Sequence, residues 1–156
     1  FEEMGCRLAE LVKLHGIMDV EVIEAEGQFR VLEIDARIPS QTPTVVYHSS
    51  GMNQLEELAD IVLHGSFLHP KKENGKYCSY EHYKINRNGC FPGGEHIMNE
   101  AGPLTLRTDF FGADEALTDY DLKLGEWRGT FINWADTEEE LEKKRNDMIS
   151  RLENTI

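Results

Sequence analysis

The chain has little positive charge, little cysteine and no long apolar run, and each shortage removes a class of function. Its 16 Lys and Arg stand against 29 Asp and Glu, a formal net charge of −13 with a pI near 4.8. A field of that sign repels nucleic-acid backbones and anionic membrane surfaces, so neither is expected as a partner. Small molecules with basic side chains, such as diamino acids, are tolerated by the same field. The three cysteines, Cys6, Cys78 and Cys90, show no pattern and no CxxC spacing. This gives neither a disulfide framework nor a zinc site, and suits reduced thiols in a cytoplasmic protein. No apolar stretch approaches the ~20 residues of a membrane helix, and no basic segment followed by an apolar one marks a secretory signal. An initiator Met is also missing: the chain starts at Phe1 inside a helical pattern, and a fragment of a longer protein is the expectation.

What remains suffices for a fold. With 156 residues and 40% hydrophobic content, the chain can form one ordinary core, or an incomplete domain plus a small second one. Met4, Leu8, Leu11, Val12 and His15 recur at spacings of three and four, which predicts a helix from Glu2 to His15 closed by Gly16. Pro39 and Pro43 interrupt the segment RIPSQTPTVVYHSSG and predict a loop. Ser49 or Ser50 then caps a helix whose buried stripe is Leu55, Leu58, Ala59, Val62 and Leu63, ended by Gly65. The polar stretch HPKKENGKY, with Pro70 and Asn74-Gly75, marks a boundary, dividing the chain into residues 1–69 and 70–156. Beyond it, YCSYEHYKI, GEHIM, LTLRTDFF and WRGTFINWA read as short strands. Thr137 and Glu140 have capping-box spacing ahead of a last helix with Leu141, Met148, Ile149 and Leu152 on one face.

The segment from Met18 to Pro43, MDVEVIEAEGQFRVLEIDARIPSQTP, carries the chemistry. Two strand-like runs flank a turn at Glu26-Gly27. If Val20, Val22, Leu32 and Ile34 share the core face, then Glu21, Glu33 and Asp35 share the other, with Arg37 just beyond. Glu21 and Glu33 then sit nearly opposite one another across a three-residue loop, with Cβ atoms roughly 5 Å apart. Like charges so placed repel. Either this is a solvated face where screening makes the repulsion small, or a divalent cation turns repulsion into coordination. Magnesium keeps several waters and shares its remaining positions with substrate phosphates, so the second reading makes the hairpin a nucleotide-phosphate platform.

The two acids, their spacing and the EIDARIPS that follows resemble the closing part of the nucleotide site of the ATP-grasp superfamily, where the second strand carries Glu-x-Asn-x-Arg. More narrowly, LEIDARIPSQTPTVVYHSSGMN, GEHIM, AGPL and FFGADEALTDY look like the C-terminal half of the pyrrolysine-biosynthesis ligases of that superfamily. The resemblance implies an α+β fold: the C-terminal part of an ATP-grasp domain, an antiparallel sheet with helices, then a small β-rich domain ending in a helix. It implies ATP and Mg2+ as cofactors, with Glu21, Glu33 and Asp35 as metal ligands and Glu33 also facing the nucleotide. Asp35 stands where the family has Asn, which adds a charge. Arg37 takes the place of the arginine beside the reacting acyl phosphate. From spacing alone it equally neutralises Asp35 two residues away.

The implied reaction activates 3-methyl-D-ornithine with ATP and joins it to the side-chain amine of L-lysine. Ser40, Gln41 and Thr42 follow the catalytic strand and are expected at the amino-acid substrate, although residues alone favour an ordinary Pro-bounded turn. Asp114, Glu115 and Asp119, beside Phe110, Phe111 and Tyr120, either match a substrate ammonium or begin a capped surface helix. In GGEHIM, Glu95 and His96 alternate on a strand, with His96 a structural histidine by default. The upstream ATP-grasp portion of the same enzyme is the expected partner, without which this piece is inactive. Other ATP-grasp ligases, of carbamoyl-phosphate-synthase or D-alanine-ligase type, are the alternative, as is a non-catalytic domain that binds a cation or partner through its acidic face.

Overall fold

The computed structural model describes residues 1–66, 75–121, 123 and 125–154. They fall into two compact units, Phe1–Glu73 and Asn74–Ile156. The boundary expected at His69/Pro70 lies outside the described residues. The architecture is α+β with antiparallel sheets, and the chain closes on a helix.

In the N-terminal unit, helix α1 (Glu2–Leu11) stops four residues short of its expected end. Lys13 adopts φ 51°, and the amides of Lys13 and Leu14 turn back to the carbonyls of Glu10 and Ala9. This is a Schellman closure, which satisfies the last carbonyls before the periodicity of the sequence runs out. Strands β1 (Asp19–Ala25) and β2 (Gln28–Asp35) form a two-stranded antiparallel sheet. The segment expected as a Pro-interrupted loop instead forms helix α2 (Thr42–Ser50), with Pro43 in its first turn, where a missing N–H costs nothing. Helix α3 (Gln54–His64) is capped not by Ser49 or Ser50 but by Asn53, whose side chain accepts from the Leu55 amide at 3.1 Å. The hydroxyls of Ser49 and Ser50 fold back on the Val46 carbonyl.

Of the expected buried stripe of α3, Leu58 is half-buried, while Ala59 is exposed and Leu55, Val62 and Leu63 are 66%, 59% and 73% exposed. Glu57 is buried in their place.

The C-terminal unit is a five-stranded antiparallel sheet in the order β4-β3-β7-β6-β5. Its strands are β3 (Tyr77–Asn86), β4 (Gly89–Gly93), β5 (Thr105–Phe110), β6 (Ala113–Thr118) and β7 (Glu126–Ala135). Helix α4 (Glu138–Glu153) covers one face. Thr137 caps it as the sequence predicts, its side chain accepting from the Glu140 amide at 3.2 Å, and Leu141, Met148 and Leu152 are buried. The core joins Tyr83 and Ile85 of β3, Trp127 and Phe131 of β7, and Met148 and Leu152 of α4. Arg145 ties the helix to the sheet by a two-pronged bond to Glu81, 2.6 Å from Nε and 2.5 Å from Nη2.

FFGADEALTDY is not a helix start but the β5–β6 hairpin. Phe111 and Gly112 form a turn with φ 55° and 91°, and Ala113–Thr118 lies inside the sheet. A bulky residue in the left-handed region is costly and is not a turn signal. Phe111 is held there by a T-shaped contact with Phe110 (4.6 Å between centroids) and stacking on Trp127 (6.0 Å).

Met148 is fully buried beneath the sheet, so Met148→Ala should destabilise this unit by about 2–5 kcal/mol. Urea unfolding, with the midpoint lowered at unchanged slope, is the check.

Candidate functional site

The acidic hairpin depends on its turn. Glu26 and Gly27 have φ 54° and 72°, the two positive angles of a tight hairpin turn whose twist matches the strands. The loop therefore has two residues, not three. From it, Ala25 pairs with Gln28, Glu24 with Phe29, Ile23 with Arg30 and Val22 with Val31. The register then slips by one, and beyond the slip Glu21 pairs with Glu33, Val20 with Ile34 and Asp19 with Asp35. Leu32 is the extra residue of this bulge and is 65% exposed, a correction to its expected core position.

Two consecutive same-face rungs are thus acid against acid: Asp19 with Asp35, and Glu21 with Glu33. Glu21 and Glu33 are exposed, while Asp19 and Asp35 are half-buried. Asp19 was not singled out from the sequence, although its i, i+2 spacing to Glu21 is visible there. Arg37 Nη2 donates to Asp35 Oδ2 at 2.5 Å. Among the described residues, no three His, Cys, Asp or Glu side chains converge tightly enough to cage an ion. The arrangement fits a hard cation held by one cross-strand carboxylate pair that keeps waters and phosphate oxygens in its other positions, as magnesium does. Ser40 is exposed, Gln41 precedes α2 and accepts from the amides of Thr44 and Val45 through its carbonyl, and Thr42 is the first helical residue.

In the second acidic cluster, Asp114 and Asp119 are bonded into the fold. Asp114 accepts from Lys144 Nζ at 2.9 and 2.8 Å and from the Trp134 amide at 2.9 Å. Asp119 accepts from the amides of Arg128 and Gly102 at 2.6 and 2.8 Å. These bonds tie Asp114 and Asp119 into the sheet unit in place of the expected surface helix start. Glu95 and His96 lie not on a strand but on a short 3-10 helix, Glu95–Glu100, and are exposed. Burial pushes the thiols of Cys78 and Cys90 up to about 11, which leaves neither as a thiolate nucleophile near neutral pH.

No protein-family model matches the chain. Curated proteins of similar sequence include the 3-methyl-D-ornithine–L-lysine ligase of Methanosarcina mazei. It is 34% identical over 155 residues, covering 99% of this chain and 41% of that protein. The protein of the same name from Methanosarcina barkeri is 45% identical over 100 residues, 64% of this chain and 28% of its own length. That of Methanosarcina acetivorans is 42% identical over the same extent. The chain is a relative of the C-terminal part of these ligases. It spans about two fifths of the Methanosarcina mazei ligase. Its α+β architecture is consistent with the C-terminal portion of an ATP-grasp-like fold. Among the described residues no helix is long and apolar enough to cross a membrane.

The C-terminal unit also buries a histidine between two strands. His82, on β3, is 7% exposed, and its Nδ1 lies 2.7 Å from Thr130 Oγ1 on β7. Burial holds its pKa below the usual 6.5, with Glu95 opposing in part. A lowered folded-state pKa means that the unfolded chain binds the proton first as pH falls. His82 should therefore contribute stability that is full above pH 6.5 and is lost as pH drops below it through the folded value. His82→Gln should flatten the stability profile of the C-terminal unit between pH 7 and 5, measured by urea unfolding at each pH.

Proposed function

We propose that this chain is the C-terminal part of an ATP-dependent carboxylate–amine ligase that joins 3-methyl-D-ornithine to the side-chain amine of L-lysine in pyrrolysine biosynthesis. The observation that carries the reading is the similarity to the Methanosarcina mazei ligase along 99% of the chain, at 34% identity. The Glu21–Glu33 rung supplies chemistry that such a reaction needs. The γ-phosphoryl group of ATP passes to the ornithine carboxylate, giving an acyl phosphate and ADP. The lysine amine then attacks the acyl carbon, loses a proton and displaces inorganic phosphate. Negative charge gathers on phosphate oxygens throughout, and bound magnesium would supply the offsetting charge.

Glu21 and Glu33 would hold that cation, and Glu33, nearest the bulge, would also face the nucleotide phosphates. Asp35 departs from the family's Asn, and its carboxylate is already matched by Arg37. We assign Asp35 to the metal's surroundings, and Arg37 to the acyl phosphate, whose two oxygens its planar fork matches. Ser40, Gln41 and Thr42 would meet the amino-acid substrate from the loop that leaves β2. ATP and Mg2+ are the cofactors on this reading, the cytoplasm is the compartment, and the two units correspond to the end of the ATP-grasp domain and a C-terminal domain. A different acyl donor on the same scaffold, as in other ATP-grasp ligases, is the alternative.

Glu33→Gln in the full-length enzyme should lower kcat on the order of a hundredfold or more while leaving folding stability near that of the parent. Loss of a metal-ligating carboxylate removes transition-state stabilisation and relieves repulsion with Glu21. Unchanged turnover would remove Glu33 from the site. The acyl donor separates the two branches. A site built for a diamino acid leaves its ammonium-binding groups unpaired when D-alanine enters. The full-length enzyme should therefore show a much higher kcat/KM for D-ornithine or its 3-methyl derivative than for D-alanine. The reverse preference would leave only the general ATP-grasp reading.

A further inference from the structure

Helix α3 keeps Leu58 and Ile61 half-buried but presents the rest of its apolar residues outward. Leu55, Ala59, Val62 and Leu63 follow the i, i+4, i+7, i+8 spacing of a single stripe, and all four are exposed. Leu63, at 73%, is the most exposed large hydrophobic residue of the described chain. Around the helix from this stripe lies Glu57, 1% exposed. A surface helix ordinarily buries such a stripe, and this arrangement forgoes the stabilisation that removing large aliphatic side chains from water provides.

The rest of the N-terminal unit shows the same deficit. Every buried hydrophobic residue among the described ones, from Tyr83 to Leu152, belongs to the C-terminal unit. On the hairpin, Leu32 and Ile34 are 65% and 41% exposed. Val20 and Val22 are only half-buried, and a two-stranded sheet without a fully covered face is marginal in water.

We infer that the α3 stripe is an interior face of the complete ligase, covered by polypeptide from the part of the enzyme N-terminal to this chain. The inference rests on the ligase reading. The Methanosarcina mazei ligase has about three fifths of its length outside the match, and this chain matches its C-terminal part. The occupant is thus an apolar polypeptide surface of the same enzyme. An anionic membrane is disfavoured by the net charge of −13 and by the exposed Glu56 in the first turn of α3.

The test uses the full-length enzyme with Val62→Cys, a near-isosteric change that the stripe tolerates. Its maleimide labelling, followed at the α3 peptide by mass spectrometry, should be on the order of a hundredfold slower in native protein than in the same protein unfolded by urea. Equal rates would overturn the proposal. Hydroxyl-radical footprinting of the unsubstituted enzyme gives a second reading without any variant: Leu55 and Leu63 should be protected, and oxidation at rates of freely exposed leucines would also overturn it. Neither measurement uses substrate. An enzyme that protects the stripe but fails the ornithine assay keeps this interface and loses the substrate reading, while an active ligase with a freely labelled stripe does the reverse.

Discussion

The pairing of Glu21 with Glu33 depends on one supernumerary residue. With a two-residue turn at Glu26-Gly27 and no bulge, Ala25 opposite Gln28 would carry through to place Leu32 opposite Glu21 and Glu33 opposite Val20. Side chains alternate with a period of two, so that slip would put Glu33 on the face away from Glu21. Leu32 absorbs the difference by leaving the ladder, and the acids of the two strands come back onto one side. Bulges re-aim side chains in this way, and the cost of one exposed leucine is small beside the change in geometry.

Once aligned, the acids are in tension with one another. Asp19, Asp35, Glu21 and Glu33 occupy adjacent rungs of the same face, and like charges directly opposite destabilise a sheet by a few tenths of a kcal/mol to about 1. Water and salt reduce that cost at the exposed Glu pair. Arg37 reduces it at Asp35, although a pair so exposed adds little net stability. On the proposed reading, the Glu21–Glu33 rung is the one that would offer its oxygens to an outside cation. The Asp35 carboxylate carries its own counter-charge two residues away.

Legibility of the sequence followed the range of the interactions. The capping Thr137 and the stripe Leu141, Met148 and Leu152 act within one helix and its cover, and their spacing places them correctly. The Glu21–Glu33 pairing was legible although the loop length was not, because the turn and the bulge err in compensating directions. FFGADEALTDY was opaque for a different reason. Its turn uses Phe111 where Asn or Asp would be the usual signal, and Asp114 and Asp119 accept from Lys144, Trp134, Arg128 and Gly102, all distant in sequence or on other elements. In α2, Pro43 read as a loop signal, yet the first turn of a helix is the one place where proline's fixed φ and missing N–H agree with helical geometry.

The stripe on α3 shows a third kind of reading, in which pattern and exposure disagree without either being at fault. The spacing of Leu55, Ala59, Val62 and Leu63 states which side of the helix evolved to be dry, while the exposure states what this chain can cover by itself. The same distinction bears on the hairpin. A cation shared between protein and phosphates requires its ligands to be held to within a fraction of an ångström, and supporting packing provides that precision. The C-terminal unit has such packing in its Phe131–Met148–Leu152 core. The acid pair lies in the unit that buries no apolar side chain among its described residues. The two strands fix which face the carboxylates share, and the precision of their placement has to come from whatever covers the apolar residues around them.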